Sequence, residues 1–303
     1  MAGETRLGHN RPNFPATPAF GRPPMTDVRL YGNNHSPWVQ AVMMGLHQKQ
    51  RAYDRISRPP LDVFLAWGCM MPAASFDGEP WALESKHILR RLGYSEVSDD
   101  DMKAIRYAWQ GVLHRADFWT RFWGEFSLAS DPHPSMLQRF VNNFLRSFTI
   151  LFFFLLIRTT VFLSRPQEPD NYGDQFLGWE ERFAAMPGPF LAGDEPDSVD
   201  LLLFGIIQCH CSIPVPPIAA LQSDERLVHT RRWIGAMQRH FADYPSLYSG
   251  VYFEPHSASP EPATALDQFA FWLGAIVMIA CFWITVPLIA FLAHRNRVLR
   301  HAI

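Results

Sequence analysis

The strongest constraint on this chain is an apolar run near its C-terminus. From Phe269 to Ala293 it reads FAFWLGAIVMIACFWITVPLIAFLA, with no charged side chain. A helix of this length would measure about 37 Å, enough to cross the roughly 30 Å hydrocarbon core of a bilayer. Pro287 is compatible with a span because membrane helices tolerate proline. We predict one C-terminal transmembrane helix over 269–293 and a basic tail over 294–303; a buried C-terminal helix is the alternative.

The N-terminal residues and the composition exclude several classes of protein. Residues 1–26 are rich in proline and contain no apolar run, which predicts a disordered leader and not a secretory signal. The 27 basic and 29 acidic residues nearly balance, so we expect no nucleic-acid partner. Cys209, His210 and Cys211 alternate in a way that would place them on different faces of a helix, so we expect no metal site.

The hydropathy pattern divides the rest of the chain into two domains. Over 27–94 the order of elements is strand, helix, strand, and then two strands and a helix, which predicts a small mixed sheet in an α/β domain. Over 95–250 the signals are helical, which predicts an all-α domain. The stretch 251–268 is rich in proline, and we predict that it tethers the domains to the membrane helix.

A second apolar stretch, Ser147–Leu163, lies inside the helical domain. Its 17 residues are marginal for a span, and it carries Arg158, which would be costly within a bilayer. We predict a buried or membrane-hugging helix here and not a second span.

Four segments together resemble the glutathione S-transferase family. They are VRLYGNNHSPWVQAV (28–42), MPAASFDGE (71–79), ESKHILRRLG (84–93) and FLAGDEPDSVDLLLFG (190–205). The resemblance covers roughly Val28 to Tyr248 and implies a thioredoxin-like α/β domain followed by an all-α C-terminal domain. The last segment is also similar to the metaxin and failed-axon-connections branch.

The resemblance implies a glutathione site with five residues. Ser36 aligns with the catalytic serine or cysteine of some classes, and its hydroxyl at a helix N-terminus would stabilise the glutathione thiolate. Met71 and Pro72 match the cis-proline dipeptide that meets the cysteinyl part. Glu84 and Ser85 match the pair that holds the γ-glutamyl end. Simpler interpretations stay open: helix caps for Ser36 and for Glu84 with Ser85, and a turn for Met71–Pro72.

Other residues of these segments depart from the family pattern or serve folding. The loop Asn33–His35 is unusual, and His35 could act as a base or be merely solvated. Cys69 could be redox-active, although no partner cysteine is near it in sequence. Asp197 and Asp200 have the spacing of a capping box, which predicts a helix start and not an active site.

These observations lead to a functional prediction with two alternatives. The leading one is a membrane-anchored, glutathione S-transferase-like enzyme that conjugates or reduces apolar electrophiles with glutathione, and the resemblance also implies a homodimer. The first alternative is a non-catalytic transferase-fold scaffold at a membrane, as in metaxins; the second is a glutathione-dependent reductase that uses Cys69. The positive-inside rule places the tail in the cytoplasm, whereas tail anchoring leaves the large domain there. We expect a cytosolic domain on a bacterial inner or mitochondrial outer membrane.

Overall fold

The first domain is built on a mixed four-stranded sheet. The computed structural model describes residues 27–114, 118–131, 133–258, 260 and 262–300, so the predicted leader and the last three residues of the predicted tail lie outside it. The strands are β1 (Val28–Tyr31), β2 (Tyr53–Ile56), β3 (Ala73–Phe76) and β4 (Ala82–Leu83), in the order β2-β1-β3-β4. β1 pairs in parallel with β2 and antiparallel with β3, which pairs antiparallel with β4.

Three helices complete this domain: α1 (Pro37–Gln48), α2 (Leu61–Trp67) and α3 (Ser85–Arg91). The parallel pair β1–β2 is joined by α1, since parallel strands need a crossover connection. The Asp77–Gly78 turn between β3 and β4 uses positive φ angles of 51° and 78°. The cis Met71–Pro72 peptide bond precedes β3. This order is the thioredoxin-like topology that the resemblance implied.

The second domain is helical, as predicted. Its helices are α4 (Asp99–Ala108), α5 (Phe118–Leu128), α6 (Met136–Ser164), α7 (Leu177–Ala184), α8 (Ser198–Ser212), α9 (Pro217–Ser223) and α10 (Val228–His240), with 3₁₀ turns at Trp109–His114, Tyr172–Phe176 and Tyr248–Val251. At the start of this domain, α4 is followed by a 3₁₀ turn and then by α5. The 3₁₀ turn seats Gly111 against Pro217, where a Cβ would lie 2.1 Å from the proline Cγ.

Helix α8 is the central element of the core. Asp197 and Asp200 form the capping box that their spacing predicted at its start. The buried Asp200 also accepts a hydrogen bond of 2.8 Å from the indole of Trp233 in α10. Gly205 allows α8 to approach α1, because a Cβ at this position would lie 2.3 Å from the carbonyl oxygen of Pro37. This close contact joins the two domains.

The C-terminal apolar run does not form the single helix predicted over 269–293. It forms α11 (Ala265–Ala280) and α12 (Phe282–Arg300), which meet at an angle of 90°. The break is stabilised by Thr285, whose hydroxyl donates to the carbonyls of Met278 and Cys281 at 3.0 and 3.3 Å. A carbonyl released by the broken helix is thereby satisfied within the chain.

The expected tether over 251–268 is attached to the helical domain over much of its length. The carbonyl of Phe253 accepts a 2.7 Å hydrogen bond from Gln238, and the amide of Ala263 donates to the carbonyl of Leu128, also at 2.7 Å. Helix α11 then starts four residues earlier than the predicted span, because Thr264 and Asp267 form a capping box at its N-terminus.

Helix α11 lies along α6, and the two are joined by a buried polar network. Asp267 accepts hydrogen bonds from Arg139, from Asn143 at 3.2 Å and from Ser130 at 2.9 Å. Further along α11, Gly274 meets α6 so closely that a Cβ would lie 2.3 Å from the carbonyl oxygen of Phe144. The helix contact is therefore fixed by polar groups at one end and by a glycine further along.

By length and apolar composition, α6 is the one individual helix in the described part of the chain that could cross a membrane. The count rises to at most three if the bent pairs α8–α9 and α11–α12 are each taken as one span. A straight C-terminal transmembrane helix is therefore not supported. Part of α6 is also covered by protein, since 39% of its most apolar window is buried.

Candidate active site

One cavity lies between the two domains and brings the predicted site residues together. It has a volume of about 450 Å³, within the roughly 300–1,000 Å³ typical of ligand pockets. All five predicted residues line it, although they come from three separate segments: Ser36, Met71, Pro72, Glu84 and Ser85. The cavity geometry does not test their individual roles.

The hydroxyl of Ser36 is not used to cap α1. Ser36 is the N-cap residue, with φ −73° and ψ 125°, and Pro37 follows it, but the side chain makes no capping hydrogen bond. The Ser36 amide instead donates to the carbonyl of Asn33 at 3.0 Å, which closes the loop before the helix. The capping interpretation of this serine therefore loses its main support, and the hydroxyl stands at the cavity wall.

Glu84 holds an unusual backbone conformation at the polar wall of the cavity. Its φ is 81°, a region that non-glycine residues seldom occupy, and its side chain does not cap α3. Outliers of this kind concentrate at ligand-binding sites, where the surrounding fold maintains them. Ser85 is buried as the first residue of α3. Met71 is fixed by a contact in which the amide of Asn33 donates to its sulfur at 3.2 Å.

The other half of the cavity is apolar and comes from the helical domain. Its wall includes Phe122 and Phe126 of α5, Ile150 and Ile157 of α6, and Cys209 of α8. The sequence had predicted α6 as a buried or membrane-hugging helix without placing it in a site. Its run of phenylalanine and leucine carries no polar signature of a ligand, so only the tertiary arrangement assigns it to the cavity.

A second group that sequence reasoning missed stands on α4 and the 3₁₀ turn after it. Arg106, Trp109 and Gln110 line the cavity, and Arg106 and Gln110 are exposed. The indole nitrogen of Trp109 is buried without a hydrogen-bond partner, as is the side-chain amide nitrogen (Nδ2) of Asn33, which also lines the cavity. These donors, with the cation of Arg106, suit a ligand that carries carboxylate or carbonyl oxygens.

His35 is not the solvated loop histidine that the sequence also allowed. It is only 5% exposed, and its ring lies 5.0 Å from that of Phe126 and 5.5 Å from that of Tyr248. Neither ring nitrogen has a hydrogen-bond partner. Burial, with the positive charges of Arg146 and Arg55, lowers the pKa of His35 to about 3. A strong general base at neutral pH is therefore not available from this residue.

Cys69 and Tyr31 are also buried, and both lie outside the cavity. Burial raises the pKa of the Cys69 thiol to about 12, so the reactive thiolate is scarce at neutral pH. This disfavours the reductase alternative. The hydroxyl of Tyr31 donates to the carbonyl of Cys69 at 3.3 Å, and burial raises the pKa of Tyr31 well above its ordinary value. Neither residue lines the cavity.

The Cys209–Cys211 segment does not converge on a metal position. Cys209 faces the cavity and lies in a buried apolar cluster that we call the second apolar cluster, which also holds Phe122, Ile150, Ile157, Phe271, Ile289 and Leu292. Cys211 belongs instead to the first apolar cluster, which contains the core of the α/β domain and the apolar residues Leu201 to Ile207 of α8. Within the described parts of the chain, no group of three or more histidine, cysteine or acidic side chains could hold a metal ion.

Comparisons with known proteins give only distant likenesses. No family model matches the sequence, and no curated protein is significantly similar to it. Among solved structures, a Tau class glutathione S-transferase from mango (Mangifera indica) is 13% identical, covers 72% of this chain and 90% of its own, and has a TM-score of 0.39. A theta class glutathione S-transferase from Xanthomonas axonopodis with glutathione bound is 14% identical, covers 77% and 100%, and has a TM-score of 0.36.

A third likeness is to a maleylacetoacetate isomerase from Methylobacterium extorquens with malonate and glutathione bound. It is 16% identical, covers 76% of this chain and 100% of its own, and has a TM-score of 0.40. Likeness at this level of identity and TM-score establishes neither family membership nor activity for this chain.

Proposed function

We propose that this protein is a glutathione transferase-like enzyme that works at a membrane and joins the glutathione sulfur to an apolar electrophile. The observation that carries the proposal is the divided cavity. Its polar wall gathers Ser36, Glu84 and Ser85 from separate segments, and its other wall is made of aromatic and aliphatic side chains. A polar tripeptide and an apolar co-substrate would thus meet at one place.

The polar wall fits the groups of glutathione. The Glu84 carboxylate would take the ammonium of the γ-glutamyl end, and the Ser85 hydroxyl and amide would take its carboxylate. The backbone of Met71, before the cis-proline, would align the cysteinyl part. Arg106 at the cavity rim offers a cation for the second carboxylate of the tripeptide.

Ser36 would perform the central chemical task in this scheme. Its hydroxyl would donate a hydrogen bond to the glutathione sulfur, which favours the thiolate over the thiol, and the released proton would pass to solvent. The thiolate would then attack the electrophile held against Phe122 and Ile150. With an aryl halide, a sulfur–carbon bond would form, the carbon–halogen bond would break, and the halide ion would leave to solvent. His35 would not take the proton, since burial keeps its imidazole neutral and weakly basic.

Membrane attachment, a cytosolic location of the cavity, a homodimer and a place in the metaxin-like branch remain parts of this proposal. Support for attachment comes from the apolar helices α6, α11 and α12, which expose large apolar side chains. A cytosolic location is expected because glutathione is abundant there.

The experiment uses the full chain in detergent, with calorimetry of glutathione binding and turnover of a water-soluble aryl halide. Glu84→Ala should weaken glutathione binding about tenfold or more, because an ion pair to the ammonium is lost. Ser36→Ala should bind glutathione but lose about 10- to 100-fold in kcat/KM, as expected for one hydrogen bond to a charged sulfur.

Ser98→Ala is the matched control. Ser98 caps α4 by accepting a hydrogen bond from the amide of Asp101, so its loss should lower stability by about 1 kcal/mol and leave turnover unchanged. A folded protein with neither glutathione binding nor turnover would contradict the enzyme and favour the non-catalytic scaffold.

A further inference from the structure

The α11–α12 pair presents an apolar face to its surroundings from Phe269 to Leu292. Between Phe269 and Leu292, the exposed side chains are all apolar, and several are large. Ile276 is 62% exposed and Trp283 is 72% exposed. Together these side chains form what we call the outer apolar surface: Phe269, Trp272, Ile276, Ile279, Trp283 and Phe291. Water is a poor partner for a continuous surface of this kind.

The opposite face of the same two helices is buried against the rest of the protein. Gly274 and Phe271 of α11 are buried against α6 and α5, and Ile289 and Leu292 of α12 are buried in the second apolar cluster. A helix that left this position to cross a bilayer would expose that cluster. Both faces of these helices are therefore apolar. One face packs against the protein core, and the other is exposed to whatever lies outside the protein.

Neither helix is built to cross a bilayer from this position. The 16 residues of α11 extend about 24 Å, and the apolar part of α12, Phe282–Leu292, extends about 16 Å. Each is shorter than the roughly 30 Å hydrocarbon core, and the 90° bend at Cys281 prevents them from adding into one rod.

Charge distribution indicates what covers the outer apolar surface. The sequence contains no acidic residue after Asp267, and none between Asp131 and Glu168, the interval that holds α6. Arginines accompany both apolar segments: Arg158 lies within α6, Arg165 directly follows it, and Arg295, Arg297 and Arg300 follow the outer apolar surface. Basic residues around an apolar surface complement the anionic headgroups of a bilayer, whereas two copies of this surface would bring like charges together.

The cavity reaches an exposed apolar side chain of α6. Leu156 of α6 lines the cavity and is 38% exposed, and Leu163, two turns further along the same helix face, is 74% exposed. Two residues of the apolar cavity wall, Ile150 and Ile157, belong to the second apolar cluster, which also contains Ile289 of α12. An apolar path therefore runs from the outside of α6 to the place where the electrophile would bind.

We propose that α11, α12 and the C-terminal end of α6 lie within one leaflet of an anionic bilayer without crossing it, and that the electrophile enters the cavity from the lipid past Leu156. The substrate class is then an electrophile dissolved in the bilayer. This last step depends on the proposed function, whereas the placement in the leaflet does not.

Placement is tested with the full chain in vesicles of phosphatidylcholine and phosphatidylglycerol. Cys281 stands at the bend and is the one exposed cysteine among the four, all of which lie in described parts of the chain. A polarity-sensitive bimane on Cys281 should shift to the blue and be quenched by nitroxide lipids but not by aqueous iodide. Quenching by iodide alone would overturn the proposal.

Crossing is tested with two reporters that each add one cysteine to a Cys281→Ser background, in which the other three cysteines are buried: Glu96→Cys on the exposed surface of the domain and Ala302→Cys in the tail. In vesicles that carry the domain outside, a membrane-impermeant maleimide should label both sites without detergent. Labelling of the tail only after detergent is added would show a span and overturn placement in one leaflet.

Vesicle flotation identifies the occupant of the outer apolar surface. Ile276→Arg with Trp283→Arg should reduce flotation at least tenfold, whereas Leu137→Arg, an exposed apolar site at the other end of α6, should not. A wild-type protein that forms dimers through this surface and does not float would favour a second copy and overturn the proposal.

Turnover separates this inference from the proposed function. Trp283→Arg should retain wild-type turnover of the water-soluble electrophile and lose most turnover of an electrophile dissolved in the vesicles. Equal loss with both substrates would overturn entry from the lipid. If the wild-type protein turns over neither substrate, the proposed function fails and the lipid-entry step fails with it, while labelling and flotation still decide the placement.

Discussion

At the scale of single residues, polar residues just before a helix differ in whether their side chain caps that helix with a hydrogen bond. Ser98 and Asp197 cap α4 and α8 through their side chains, whereas Ser36 and Glu84 do not cap α1 and α3. The four positions look alike in sequence, since each is a polar residue before a helix. The distinction between a cap and a ligand-binding group depends on side-chain geometry, which the sequence pattern does not contain.

His35 leads to a prediction about pH. Its pKa falls from 6.5 to about 3 in the folded protein, so the unfolded chain binds a proton that the folded protein excludes between these values. His35 therefore does not change the free energy of unfolding above pH 6.5. Below that pH, protonation of the unfolded chain lowers the free energy of unfolding by about 1.4 kcal/mol per pH unit until the pH approaches 3. Thermal unfolding from pH 7 to pH 4.5 should show this decline.

His35→Phe should reduce that pH dependence without removing it, because burial also lowers the pKa of His210 to about 4. A phenyl ring fits between Phe126 and Tyr248 and leaves no unpaired nitrogen in the core, so the variant should be at least as stable as the wild type at pH 5. The matched control is His87→Phe at an exposed position of α3, which should keep the wild-type slope. An unchanged slope in His35→Phe would show that other groups cause the decline.

At the scale of elements, helix contacts are controlled by glycines at points of close approach. Gly205→Ala should destabilise the protein by about 1–3 kcal/mol, because the new Cβ would lie 2.3 Å from the Pro37 carbonyl oxygen and push α8 away from α1. Gly124→Ala in α5 meets no atom within 4 Å and should stabilise by up to about 1 kcal/mol. Chemical denaturation measures both; equal effects would contradict the close contact.

The elements differ in how well the sequence predicted them. The strands and helices α1, α3 and α8 could be predicted from the sequence, because their signals are local: the alternation of apolar residues, the Asp77–Gly78 turn and the Asp197–Asp200 capping box. The bend at Cys281 could not be predicted from the sequence, because every residue from Phe269 to Leu292 is compatible with one continuous apolar helix. The bend follows from distant partners, since α11 packs on α6 and α12 packs on the second apolar cluster.

At the scale of the whole molecule, α11 and α12 belong to the core and are not an appendage. The second apolar cluster contains Phe271, Ala275, Ile289 and Leu292, and burial of one large apolar side chain contributes about 1.5–3 kcal/mol. A chain truncated after Ala258 should therefore aggregate or unfold at a markedly lower temperature than the full chain in the same detergent.

Size-exclusion chromatography and thermal unfolding would test this truncation. The control is a chain that starts at Met25, which should keep the wild-type unfolding temperature because the sequence predicts a disordered leader over 1–26. A monomeric, cooperatively folded fragment 25–258 with an unchanged unfolding temperature would restore the independent anchor that the sequence predicted.

The pairing of α6 with α11 has a consequence for the order in which the protein can be made. Asn143 and Asp267, which meet in the network between these helices, are 124 positions apart in the chain. During synthesis α6 therefore leaves the ribosome long before its partner exists, with its apolar side uncovered and prone to aggregation. The nascent chain would need a holding chaperone, or early contact with lipid, for as long as that interval lasts.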